Sequence, residues 1–210
     1  MTTTKSYPKE MLLFLLQNTD LIESGTLTDA VEATVFAAIH DRIGKKLERR
    51  LWEAHYDLLN DDEASYEETL FCPLHWPKRK DETRQVYWCI AEHGEGNNYW
   101  LSSLLGLDGT QTCFELYVDG RLGGPKVNVK ERIREFYAKT PALKEMGFVC
   151  TDEGELCLPF SFDAAKLASE FPDLRKPMLE FEKVFDKLLK ATEEHIDKLI
   201  LGMKPQSAAE

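Results

Sequence analysis

The sequence predicts an α+β protein, and three features of the 210-residue chain lead to that prediction. Apolar residues recur at helical spacing near the N-terminus, runs of aromatic and β-branched residues separated by turn residues follow, and helical spacing then returns. We therefore expect an N-terminal helical hairpin over residues 1–60, mostly sheet over 68–160 and C-terminal helices over 163–202. The central antiparallel sheet should contain about four to six strands, within a single domain spanning 1–210.

Two helices are predicted at the N-terminus. The first contains the apolar run MLLFLL and ends before Gly25. The second is capped by Thr28 and ends by Asn60, because apolar residues recur at spacings of three and four from residue 31 to residue 54. The acidic segment 60–68 follows neither the helical nor the strand period, so it should link the hairpin to the sheet.

The sheet is predicted from four segments rich in aromatic and β-branched residues: LFCPLHW, RQVYWCIAEH, NNYWLSSLLGL and QTCFELYVDG. Alternation in the fourth segment separates two faces, with Phe114, Leu116 and Val118 on one and Cys113, Glu115 and Tyr117 on the other. One of these faces should pack on the core.

The C-terminal third has clear helix signals. Asn128 should cap a helix over residues 129–139, and a short helix beginning at Pro141 should end at Gly147. Asp163 should cap a further helix, which Pro172 ends. The last helix has an apolar stripe from Met178 to Leu199, which we expect to pack inside the chain or to form the seam of a homodimer.

A hairpin is expected between the short helix and the Asp163 cap. A two-residue turn at Glu153 and Gly154 would pair Cys150 with Cys157 across the ladder. Two facing cysteines could form a disulfide if oxidised, but reduced thiols are the expectation in a reducing compartment.

Composition limits the compartment and the partners. The net charge of −11 disfavours a protein whose main task is to coat DNA or an anionic membrane. MLLFLL is far shorter than the roughly 20 apolar residues of a membrane-spanning helix. The chain has five cysteines, an odd number that does not form an obvious disulfide framework of the kind found in secreted proteins. This favours a cytoplasmic location. No cofactor is predicted.

Cys72, His75, Cys89 and His93 raise the question of a zinc site. Cys72 and His75 could reach one ion from a turn. Cys89 and His93 lie on a predicted strand, where four residues advance roughly 13 Å along the chain, so the two cannot reach one ion unless the strand ends early. The sequence therefore favours partly buried cysteines and hydrogen-bonded histidines at these positions.

Two basic clusters are candidate anion or nucleic-acid sites. Their residues are Arg42, Lys45, Lys46, Arg49 and Arg50 on the second helix, and Lys78, Arg79, Lys80 and Arg84 beside the aromatics Trp76 and Trp88. A solvated helix face and a sheet core explain the same residues without any ligand.

The sequence contains no G-x-S-x-G elbow and no phosphate-binding loop. A non-catalytic binding or regulatory module acting through a protein partner is therefore the leading hypothesis for its function. One alternative is a nucleic-acid-associated accessory protein that uses the basic clusters. The other is an enzyme whose site assembles in space around Glu115, His93 or Cys113.

Overall fold

The computed structural model describes residues 9–17, 26–61, 64–78, 84–93, 100–107, 111–125 and 127–203. Within these residues, helices combine with one antiparallel sheet of six strands, which confirms the predicted fold class and strand number.

The helices are α1 (Lys9–Gln17), α2 (Thr26–Leu47), α3 (Trp100–Leu105), α4 (Val129–Lys139), α5 (Pro141–Met146), α6 (Ala164–Glu170), α7 (Pro177–Ala191) and α8 (Asp197–Met203). The strands are β1 (Trp52–Asp61), β2 (Ala64–Pro73), β3 (Val86–His93), β4 (Gln111–Val118), β5 (Val149–Cys150) and β6 (Leu156–Phe160). Their order across the sheet is β1-β2-β3-β4-β6-β5, so β4 lies next to β6 although three elements separate them in sequence.

The chain divides into two compact units, each assembled from separate segments. The first comprises residues 1–42, 92–112 and 160–183, and in it α1 packs against α3 and α6. The second comprises residues 43–91, 113–159 and 184–210, and it contains most of the sheet. The assignment of the whole chain to one domain stays a prediction.

An aromatic cluster forms the centre of the second unit. Phe71 on β2 pairs with Trp88 on β3, so both leave the sheet on the same face. Phe71 contacts Phe114 at a ring-centroid distance of 5.8 Å, and Phe185 of α7 lies 5.3 Å from Phe71 and 5.6 Å from Phe114. The apolar stripe predicted as a helix seam therefore packs, at Phe185, against the chain's own sheet.

The prediction that the second helix ends near Asn60 is wrong. Helix α2 ends at Leu47, and β1 begins at Trp52 and pairs with β2 over its whole length. The Trp52 ring stacks on Phe71 and contacts Trp76, both distant in sequence. These non-local contacts stabilise a strand here, even though apolar residues continue to recur at helical spacing as far as residue 54. The segment 60–68, predicted as a linker, mostly belongs to the same hairpin.

Residues 100–105 were also assigned incorrectly, because the predicted strand NNYWLSSLLGL contains helix α3. Leu101, Leu104 and Leu105 are buried at helical spacing. A short apolar run fits either period, and a helix of six residues presents too few turns for its pattern to be distinctive.

The capping signals after residue 128 are confirmed. The Asn128 side chain accepts a hydrogen bond from the Glu131 N–H at the start of α4, and the Asp163 side chain accepts one from the Lys166 N–H at the start of α6. Gly147 ends α5 with φ of 96°, the left-handed conformation that glycine adopts without steric cost.

The predicted pairing of Cys150 with Cys157 is wrong by one residue. Val149 pairs with Cys157, and Cys150 pairs with Leu156. Gly154 has φ of 84°, and the Thr151 N–H donates to the Glu155 carbonyl, so the loop has three residues with a left-handed third position. A shift of one residue reverses the face of a side chain, so Cys150 and Cys157 point to opposite faces of the sheet.

A π-helical turn, Thr192–Ile196, separates α7 from α8. The Asp197 N–H donates to the Thr192 carbonyl, five residues earlier. In a regular α-helix, side chains five residues apart point roughly 140° away from each other. The wider turn brings Thr192 and Asp197 towards one face, where each accepts a hydrogen bond from a tryptophan of the second unit.

Candidate functional site

The basic cluster at the end of α2 is largely engaged in ion pairs. Arg42 lies 3.0 Å from Glu182, Lys46 lies 2.8 Å from Asp186, and Arg50 contacts Glu193. Lys45 and Arg49 are exposed. At least three of the five predicted cations therefore face carboxylates of the same chain, and these pairs neutralise part of the positive face.

Arg84 belongs to the second predicted cluster, but its side chain is only 10% exposed. Its guanidinium donates to the Glu53 carboxylate and to the backbone carbonyls of Leu74 (3.2 Å) and Trp76 (2.9 Å). Lys78 lies 3.9 Å from the same Glu53. Arg84 is thus a structural cation that holds the 74–76 turn, and the predicted residues Arg79 and Lys80 lie outside the described part of the chain.

The two tryptophans offered as a stacking surface are buried in the second unit. The Trp76 indole donates to Asp197 Oδ1 at 2.6 Å, and the Trp88 indole donates to Thr192 Oγ1 at 3.1 Å. Rings held in this way fill the core, so neither offers a face on which a nucleic-acid base could stack.

The residues considered for zinc do not converge within the described part of the chain. The Cys72 thiol donates to Glu53 at 3.7 Å, the Cys89 thiol contacts the Glu115 carbonyl at 3.6 Å, and His75 Nε2 lies 3.3 Å from Asp197. Burial raises the pKa of the Cys72 thiol to about 12, although the Arg84 charge acts in the opposite direction. The His93 side chain lies outside the described residues.

A different set of side chains does converge. Cys113 and Glu115 on β4 and Cys157 on β6 place their sulfur and carboxylate atoms within 4.8 Å of one another, the one such group of three among the described residues. Cys113 and Cys157 are buried, and Glu115 is half-buried. A hydrogen bond between the two thiols, together with burial, raises the pKa of Cys113 above its usual value. We call these three residues the thiol-carboxylate cluster.

Two of the three members of this cluster could be placed together from the sequence. The alternation in β4 correctly placed Cys113 and Glu115 on one face. The third member, Cys157, could not be assigned, because the pairing of β4 with β6 joins segments that are not consecutive in the chain.

A pair of exposed leucines forms a second notable surface in the same unit. Leu51 immediately precedes β1 and is 78% exposed, and Leu74 immediately follows β2 and is 47% exposed. The Leu74 N–H donates to the Leu51 carbonyl at 2.8 Å, which fixes the two residues side by side. We call this pair the leucine corner.

An open groove of about 300 Å³ lies between α4 and α8. Its lining includes Arg132, Lys139, Lys198 and Met203. Lys139 lies 3.3 Å from Glu135, another residue of the lining. The groove includes neither Cys113 nor Glu115, so it does not provide the pocket that the enzyme hypothesis requires.

Comparison of the chain with protein-family models, with curated proteins and with solved structures finds no match in any of the three. None of the helices in the described residues has both the length and the apolar character needed to cross a membrane.

Proposed function

We propose that this protein is a non-catalytic binding module that acts through a protein partner, and that the leucine corner is its docking surface. The exposure of Leu51 and Leu74 on adjacent strand ends is the observation that favours this function. Single exposed leucines are common on proteins, but the backbone hydrogen bond puts these two at neighbouring positions, and we propose that their side chains act as one apolar contact. Such a contact can insert into a pocket of a partner.

The leucine corner is supported by buried groups. Arg84 donates to the Leu74 carbonyl, and Trp76 is buried two residues beyond Leu74. On the other strand, the ring of Trp52, next to Leu51, packs on Phe71. A surface that is already ordered loses little conformational freedom on binding, so more of its contact energy appears as affinity.

The sequence on either side of the leucine corner favours one chemistry for the partner. Leu51 follows the segment KKLERR and Leu74 precedes HWPKRK, two basic segments of a chain whose net charge is −11. Lys46, Arg50 and Lys78 of these segments already face carboxylates of the same chain, so they contribute only part of their charge to a partner. A partner segment with large apolar side chains flanked by Asp or Glu would match both features. We therefore propose an acidic-apolar protein segment as the ligand.

The leucines should supply a measurable part of the affinity. Complete burial of one Leu side chain contributes about 1.5–3 kcal/mol. Scaled by the exposed fractions of Leu51 and Leu74, the pair corresponds to about 2–4 kcal/mol. Replacing both should therefore weaken binding by about thirtyfold or more.

Selection of peptides from a random display library on the immobilised full-length protein would test the proposal. The selected peptides should combine acidic and large apolar residues, and fluorescence anisotropy would give their affinity for each variant. Leu51→Ser/Leu74→Ser should weaken binding about thirtyfold. The matched control Leu201→Ser changes a 45% exposed leucine on α8 and should leave the affinity unchanged.

Failure to select any peptide, or equal affinity for the wild type and the double variant, would contradict the leucine corner as a docking surface. Binding of a single-stranded oligonucleotide that weakens steeply with salt and survives Leu51→Ser/Leu74→Ser would instead support the nucleic-acid hypothesis. In that case, the exposed cations Lys45 and Arg49 would be the residues to replace.

We also propose a cytoplasmic location for this module. None of its five cysteines, Cys72, Cys89, Cys113, Cys150 and Cys157, forms a disulfide. Reduced cysteines in this number suit a reducing compartment.

A further inference from the structure

We infer that the thiol-carboxylate cluster is a zinc site, formed by the Cys113 and Cys157 sulfurs and the Glu115 carboxylate. The inference is independent of the leucine corner and of the proposed partner. Cys113 and Glu115 are two residues apart on β4, so they leave the sheet on one face, and β6 brings Cys157 beside them.

The spacing of the ligand atoms suits zinc. Zinc binds cysteine sulfur at about 2.3 Å and carboxylate oxygen at about 2.0–2.2 Å in tetrahedral geometry, which puts neighbouring ligand atoms roughly 3.3–3.8 Å apart. The ligand atoms of the cluster already lie within 4.8 Å of one another. Side-chain rotations that move the ligand atoms by about an ångström would complete the geometry, while the strands hold the backbone in place.

The ligand types select a thiophilic ion. Magnesium and calcium prefer sites made wholly of oxygen, whereas two sulfurs favour zinc and related soft or borderline ions. Burial of Cys113 and Cys157 keeps water from the sulfurs, and the half-buried Glu115 leaves an approach from solvent. Three protein ligands leave a fourth position that water can occupy, the pattern typical of zinc sites that are not fully closed.

The binding step balances without any oxidant. One Zn²⁺ enters, and the Cys113 and Cys157 thiols each release one proton to solvent as the two Zn–S bonds form. Glu115 binds as its carboxylate. The site then has two thiolates, one carboxylate and one divalent cation, for a net charge of −1.

Cobalt(II) binding to the reduced, chelator-treated full-length protein would test the site. Tetrahedral cobalt with thiolate ligands has charge-transfer and visible absorption bands that zinc, which has a filled d shell, does not show. We expect these bands to saturate at one cobalt per chain and to disappear when zinc is added.

Variants identify the ligands. Cys113→Ser/Cys157→Ser should abolish the thiolate bands, whereas Cys150→Ser should retain them because Cys150 points to the opposite face of the sheet. Glu115→Gln replaces a half-buried group with one of equal size, so it should fold normally and bind cobalt about tenfold more weakly or worse.

Three results would overturn the inference. The first is the absence of thiolate bands in the reduced wild-type protein. The second is retention of the bands in Cys113→Ser/Cys157→Ser. The third is an unchanged cobalt affinity in a Glu115→Gln variant whose thermal unfolding matches that of the wild type. This third test does not depend on whether the double-cysteine variant folds.

Discussion

Removing the Glu53 carboxylate should destabilise the protein far more than removing a carboxylate from an exposed ion pair. Glu53 is the charged partner of Arg84, whose guanidinium also holds the carbonyls of Leu74 and Trp76. Glu53→Ala would leave a cation in the interior with only neutral acceptors. An uncompensated buried charge is among the few defects that cost several kcal/mol.

The magnitude follows from burial. The Arg84 side chain is 10% exposed and that of Glu53 is 21% exposed. Breaking a buried ion pair costs about 3–5 kcal/mol, and the remaining exposure of Glu53 puts the expected loss near the lower end, at about 3 kcal/mol. The Lys46–Asp186 pair is the control, because the Asp186 side chain is 52% exposed and Asp186→Ala should cost less than about 1 kcal/mol.

Urea unfolding followed by tryptophan fluorescence and circular dichroism would give the free energy of unfolding of each variant. The double variant Glu53→Leu/Arg84→Met should recover part of the loss, because an apolar pair carries no charge that needs compensation, whereas the Leu74 and Trp76 carbonyls lose their donor. A Glu53→Ala cost no larger than that of Asp186→Ala would refute the reasoning. So would a double variant that is less stable than Glu53→Ala alone.

Three further substitutions test other parts of the structure. Thr192→Val should cost about 1–3 kcal/mol in urea unfolding, because the buried Trp88 indole loses its acceptor; an unchanged midpoint would contradict this. Gly154→Ala should lower the melting temperature, since φ is +84° and the added Cβ would lie 2.7 Å from the Lys130 carbonyl oxygen; an unchanged temperature would show that the loop relaxes. Burial lowers the pKa of His40, so the unfolded chain binds this proton more tightly and stability falls as the pH drops below about 6.5. His40→Gln should lose less stability than the wild type between about pH 7.5 and pH 5.5, and equal losses would contradict the assignment.

Local signals predicted the C-terminal third of the chain well. Helix α4 has the predicted bounds because the Asn128 cap acts within four residues of chain. The α5 stop at Gly147 and the Asp163 cap of α6 are equally local. Elements of this kind are predictable because the interactions that define their ends involve neighbouring residues.

Elements that depend on distant partners were predicted poorly. Strand β1 forms because Trp52 packs on Phe71 and Trp76 while its backbone pairs with β2, none of which is visible in the spacing of its own apolar residues. The Cys150 register depended on whether the loop before Glu155 has two or three residues, a choice that the Glu-Gly dipeptide leaves open.

The candidate sites show the same limit. The zinc hypothesis was based on residues close in sequence, but Cys72, His75 and Cys89 do not converge. Cys113 and Cys157, which are 44 residues apart in sequence, meet on neighbouring strands. The leucine corner was also missed, because Leu51 was assigned to a helix face and Leu74 to a strand. Exposure of an apolar residue depends on tertiary packing, so spacing alone could not reveal it.

Hydrogen exchange of the full-length protein with and without a selected acidic-apolar peptide would test the docking surface most directly. The leucine corner predicts slower amide exchange in residues 50–52 and 73–76 on peptide addition, with the effect lost in Leu51→Ser/Leu74→Ser. Protection confined to other segments, such as the groove between α4 and α8, would contradict the proposal that this corner is where a protein partner binds.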